Sequence, residues 1–110
     1  MARLPNADRA VVDDAKVRDY LLSPTHPVGR FKSVFFMALG FSAAQWESLR
    51  EALLEIAQAD ATAGQPSPFG LKFEIRANLR GPSGRQGDIV TIWMISNGQD
   101  FPHFITAYPG

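Results

Sequence analysis

At 110 residues, with eleven Lys and Arg against eleven Asp and Glu, the chain is formally neutral. Any attraction to nucleic acid or membrane must therefore come from a local patch. Without cysteine there is no disulfide framework, thiol nucleophile or zinc-cysteine site, and with no apolar leader and no window near the roughly 18 apolar residues of a membrane span, the sequence predicts one soluble, cytoplasmic domain over residues 1–110.

In chain order, Leu4-Pro5-Asn6 is an extended or turn-like lead, and Ala10-Val11-Val12 reads either as a short strand or as an anchor on the core. Asp13 and Asp14 suit a helix N-terminus, and Val17, Tyr20 and Leu21 follow at helical spacing until Ser23-Pro24 ends the run. Two prolines, Pro24 and Pro27, stiffen the loop around His26. A second helix is expected over residues 30–39, with Phe31, Val34, Phe35, Ala38 and Leu39 as its apolar face and Gly40 as its C-cap residue. Ser42 with Gln45 forms a capping-box pattern before a third helix, whose apolar positions are Trp46, Leu49, Leu53, Ile56 and Ala57. Glu47, Glu51 and Glu55 recur every four residues on its other side, as on a solvated face.

Residues 60–68, with Gly64, Pro66 and Pro68, read as an exposed connector. Then come three alternating runs. In the first, Leu71, Phe73, Ile75, Ala77 and Leu79 share one face while Lys72, Glu74, Arg76, Asn78 and Arg80 share the other. Residues 81–87 form a hairpin loop, residues 88–96 a second strand, Asn97-Gly98 a further turn, and residues 101–108 a third strand with Pro102 near its start. The expected fold is α+β, with about three N-terminal helices on one face of a C-terminal antiparallel meander of three to four strands.

Lys72, Arg76 and Arg80 make one strand face cationic, and Arg30 with Lys32 adds two cations at the start of the second helix. Guanidinium and ammonium groups suit phosphate, although an exposed sheet face is polar in any case. Trp46 and Trp93 are expected in the core. No phosphate-binding loop, dinucleotide-binding glycine motif or metalloprotease motif occurs, and two isolated histidines, His26 and His103, make no metal site. Neither a metal nor a cofactor is expected.

Leu4-Pro5-Asn6-Ala7, the run from Asp19-Tyr20-Leu21 through Pro27-Val28-Gly29-Arg30-Phe31-Lys32, Leu39-Gly40-Phe41 and the closing Phe104-Ile105-Thr106-Ala107-Tyr108-Pro109 resemble, in that order, a bacterial family of unknown function. That family occurs as a small stand-alone protein and as the C-terminal tip of filamentous-haemagglutinin-like polymorphic toxins. By its order of helices then sheet, it is similar at the level of fold to the barnase/EndoU/colicin/RelE group of metal-independent ribonucleases. In that pattern Phe31 occupies a histidine slot, and Pro102-His103 stands where Pro-Arg is usual.

The resemblance implies a toxin-like ribonuclease with RNA as substrate and an antitoxin or immunity protein as partner. Such chemistry needs a base for the 2′-hydroxyl, an acid for the leaving oxygen and cations around the phosphorane. His26, Lys32, His103, Thr106 and Tyr108 are the candidate catalytic residues, and Arg30, Lys72, Arg76 and Arg80 the candidate substrate ligands. The alternative is a non-catalytic module that docks an acidic partner on the cationic sheet face.

Overall fold

A computed structural model describes residues 2–110. Three helices precede a four-stranded antiparallel meander, as the alternation and the caps predict, and a two-residue strand from the lead joins its edge. The strands are β1 (Ala2–Arg3), β2 (Asp60–Ser67), β3 (Gly70–Arg80), β4 (Gln86–Ser96) and β5 (His103–Pro109), adjacent in that order. The helices are α1, whose regular turn Asp14–Lys16 runs into a wider π-type turn over Val17–Leu21, then α2 (Gly29–Ala38) and α3 (Trp46–Ile56).

The alternation in β3 survives folding. Ile75 and Leu79 are buried on the helix side with Ile89, Trp93, Phe104 and Ala107 of the neighbouring strands. Even there polar groups satisfy one another: Trp93 Nε1 donates to Thr91 Oγ1 at 2.9 Å, which donates to the Ile75 carbonyl at 3.0 Å. From above, α3 buries Leu49, Leu53 and Ile56, the stripe its periodicity marks. Ser42 Oγ caps its approach by accepting the Gln45 amide at 3.3 Å. Trp93 is fully buried as expected, whereas Trp46 is half-buried and carries Arg50 at 5.1 Å over its ring. Val11 resolves the ambiguity of the lead: it forms a single parallel bridge to His103 while Val12 enters the core.

Two expectations are corrected. Residues 60–67 are not a connector but β2, paired antiparallel with β3 from Thr62↔Glu74 to Ser67↔Gly70. Gly64 and Pro66 hide the strand from the sequence because neither favours one; β2 borrows its order from the backbone groups of β3. Helix α2 also turns a different face inward. Of the expected face Leu39 is buried and Phe35 packs against the core, but Phe31 and Val34 are each 71% exposed and Ala38 is exposed, while Gly29, Ser33 and Phe36 are buried instead. The reason is Gly29: a Cβ there would fall 1.9 Å from the Tyr20 carbonyl oxygen, so only its missing side chain lets α2 start against α1, and that approach fixes the rotation of the whole helix.

Candidate functional site

The loop between α1 and α2 is held by its own side chains. Ser23 Oγ accepts the amides of Thr25 and His26 at 3.3 and 3.1 Å. His26 Nδ1 then accepts the amides of Val28 at 3.0 Å and Gly29 at 2.9 Å, satisfying two of the donors that a helix N-terminus leaves unpaired. A neutral imidazole that accepts at Nδ1 carries its proton on Nε2. The ring also stands edge-on to Tyr20, with centroids 5.0 Å apart at 82°.

One turn into α2, Lys32 reaches back to the sheet. Between Phe104, paired with Trp93, and Thr106, paired with Ile92, strand β5 carries one extra residue, Ile105, and this bulge bends its outer edge. At the bend, Thr106 Oγ1 receives a hydrogen bond from Lys32 Nζ and lies 3.1 Å from Tyr20 Oη. Lys32 Nζ is 5.1 Å above the Tyr20 ring and Lys16 Nζ 5.6 Å from it, so two ammonium groups flank one phenol.

Burial alone raises the Tyr20 pKa, but the hydrogen bonds with Lys32 and Thr106 and the charges of Lys32 and Lys16 outweigh it and leave the phenol below its ordinary value of 10.0. Tyr20, His26, Lys32 and Thr106 are all half-buried. Together they offer an anion one ammonium, two hydroxyls and an imidazole N–H, and they offer a proton acceptor in the acidified phenol.

Three sequence candidates, His26, Lys32 and Thr106, therefore converge with Tyr20. Sequence reasoning used Tyr20 only as a core position of the first helix, although Lys16 four residues earlier on the same helix face was a legible hint. His103 does not join them. It pairs with Met94, its ring tilts against Phe101 at 4.9 Å, and its buried Nε2 has no hydrogen-bond partner among the described residues. Arg30 stacks on the Phe31 ring at 4.7 Å on the exposed side of α2. Tyr108 is 38% exposed near the end of β5.

Lys72, Arg76 and Arg80 stand exposed on β3, two strands from β5, and Arg76 is 3.5 Å from the Glu74 carboxylate. The register nevertheless aligns β3 with β5 across β4: Lys72 with Met94 and His103, Glu74 with Ile92 and Thr106, Arg76 with Val90 and Tyr108. At roughly 4.8 Å per strand, each such pair is separated by about 10 Å. Three surface grooves, of about 370, 410 and 310 Å³, are lined from β2, β3, β4 and α3, and none includes His26, Lys32 or Thr106. Among the described residues no three His, Asp or Glu side chains gather as a metal site would require.

Fold and site define an α+β domain whose helices cover one sheet face and whose polar cluster sits where α1, α2 and β5 meet. The family model described as a domain of unknown function, DUF6883, matches residues 3–110, and the chain belongs to that family. No curated protein matches it. Among solved structures, one chain of a contact-dependent growth inhibition toxin and immunity protein complex from Klebsiella pneumoniae 342 shares its fold, with a TM-score of 0.62 and 18% identity over 91% of this chain and 99% of that one. No helix among the described residues is long and apolar enough to cross a membrane.

Proposed function

We propose that this domain is the toxin partner of a toxin and immunity pair, of the kind carried at the tips of polymorphic toxins, and that it cleaves RNA in the cytoplasm of the target cell without a metal ion. The observation that carries the reading is the meeting of Tyr20 and Lys32, from successive helices, with Thr106 at the other end of the chain. The solved toxin and immunity complex of the same fold supports it.

In the proposed reaction a 2′-hydroxyl attacks the adjacent phosphorus and gives its proton to Tyr20 Oη, forming the 2′-oxygen to phosphorus bond. Lys32 and Thr106 meet the charged phosphorane, and the bond to the 5′-oxygen breaks as that oxygen takes a proton from the Lys32 ammonium. With Nδ1 engaged by two amides, His26 serves as an Nε2–H donor to phosphate and as the cap that sets the start of α2.

The test is cleavage of bacterial RNA by the purified protein in chelator, beside Tyr20→Phe and Lys32→Met variants of unchanged melting temperature. Cleavage is expected to rise with pH as the Tyr20 phenol ionises, with the midpoint below the ordinary tyrosine value of 10.0, and to be lost in both variants. Intact protein that neither cuts RNA nor slows the growth of cells expressing it would reject the reading.

A second reading, a module that only binds an acidic protein, is favoured by the outer side of α2. Phe31, Val34 and Met37 are exposed there beside Arg30, and the helix holds no acidic residue. A salt-sensitive complex that survives Tyr20→Phe but not Phe31→Asp, in a protein without nuclease activity, would select it.

A further inference from the structure

The outer side of α2 is an apolar surface that neither the core nor the cluster at Tyr20 uses. At 3.6 residues per turn, Arg30, Phe31, Val34, Met37 and Ala38 fall within an arc of about 120° on the side away from Gly29, Ser33 and Phe36. All five are exposed, Phe31 and Val34 at 71% and Met37 at 49%, and Val28 just before the helix is exposed as well. Within that arc Arg30 has the only side chain with a hydrogen-bonding nitrogen or oxygen.

The surroundings carry one sign of charge. From Tyr20 to Trp46 the chain holds no Asp or Glu, and from Leu79 to Gly87 it holds none either. Those two stretches are fastened together at the C-terminal end of α2, where the Ser83 amide and hydroxyl both donate to the Leu39 carbonyl, at 3.2 and 2.8 Å. A Cβ on Gly81 would stand 1.9 Å from the same oxygen, so the loop could come no closer if it carried a side chain there. The loop that carries the exposed Arg85 is thereby held at one end of α2, and Arg30 stands at the other. Among the described residues no carboxylate pairs with either guanidinium.

The composition of this face separates the occupants it could take. A protein interface carries about one hydrogen bond per 100–200 Å² to fix its register, and the arc offers none beyond Arg30. A second copy of the chain must meet a matching surface, yet it brings the same cations and no carboxylate. An anionic lipid surface asks for neither, because it takes apolar side chains into the acyl boundary and attracts cations without directional bonds. With ten residues and a length of about 15 Å, α2 is too short to span a bilayer and must lie flat on it.

We propose that the outer side of α2 is a peripheral membrane-binding face, on which Phe31, Val34 and Met37 enter the interface of an anionic phospholipid layer while Arg30 and Arg85 meet its phosphate headgroups. Phe31 is the anchor, since Arg30 stacks on its ring at 4.7 Å and so keeps a cation beside the aromatic body that enters. The face is separate from the reaction at Tyr20 and does not depend on it.

The test is co-sedimentation of the intact protein with vesicles of phosphatidylcholine alone and of phosphatidylcholine mixed equally with phosphatidylglycerol. Binding is expected to the mixed vesicles only, and to weaken as salt rises. Phe31→Ser is expected to lower the partition coefficient about tenfold, and Arg30→Gln about fivefold, the share of one cation at an anionic surface. Phe69→Ser removes an aromatic side chain that is 74% exposed in the turn between β2 and β3, and should leave binding unchanged. Equal binding of the wild type and Phe31→Ser would reduce the contact to charge alone and overturn the face, as would an equal loss in Phe69→Ser. Absence of vesicle binding overturns it too, whether the protein then forms a dimer that Phe31→Ser dissociates or a salt-sensitive complex with an acidic protein. Vesicle binding by a protein that cuts no RNA would reject only the reaction at Tyr20, and RNA cleavage without vesicle binding only the membrane face.

Discussion

Helices α2 and α3 are of nearly equal length and both rich in apolar residues, yet they end in opposite situations. The α3 stripe of Leu49, Leu53 and Ile56 enters the core, while α2 sends Phe31 and Val34 to solvent and buries Gly29 and Ser33 instead. In α3 the acidic residues leave only one face that can be buried, so the pattern and the packing agree. In α2, aromatic and aliphatic residues surround most of the helix, and the choice of face passes to the closest backbone contact, that of Gly29 with Tyr20. Helix α3 is a structural pillar; α2 spends its apolar surface elsewhere and carries Lys32 to the candidate site.

Breaking the pillar should have the largest effect. Leu53 is fully buried, and Leu53→Ala is expected to lower stability by about 2–5 kcal/mol in denaturant unfolding; a loss near zero would mean that α3 is not what anchors the helical layer. Next is Gly29→Ala, whose methyl must displace either α2 or the Tyr20 backbone, at a cost of about 1–3 kcal/mol. The same variant should return the Tyr20 phenol toward ordinary ionisation in a spectroscopic pH titration, because Lys32 moves with α2.

Removing the cap is a smaller perturbation: His26→Ala is expected to cost about 1 kcal/mol, with Asn in its place recovering part of it. If His26→Asn were as destabilised as His26→Ala, the imidazole would matter through its packing on Tyr20 rather than through its acceptor nitrogen. Smallest of all, Phe31→Ser should change thermal stability by no more than about 0.5 kcal/mol. A large loss there would put Phe31 back in a buried face and erase the contrast between the helices.

Much of the sheet was readable because a strand face repeats every two residues, and β3 keeps that alternation beside strong turn signals at residues 81–87 and at Asn97-Gly98. Strand β2 was not, since its glycine and proline argue against a strand and its order comes from pairing with β3. His26, Lys32 and Thr106 could be singled out one by one from their chemistry, but Tyr20 reads in sequence as one more apolar-periodic position, with Lys16 four residues earlier as the only hint to its role.

The sequence by itself determined the order of the three helices and of β3, β4 and β5, the α3 stripe, the helix-facing side of β3 and the cationic residues of its other side, all of which are written in spacings of two to four residues. Only the tertiary structure decided which face of α2 is hidden, that residues 60–67 pair as a strand, and that Lys32 and Tyr20 meet Thr106 across 74 and 86 residues of chain. Periodicity is a local code, whereas these outcomes depend on which surfaces approach most closely once distant segments pack, and a single glycine without a side chain sets that approach here.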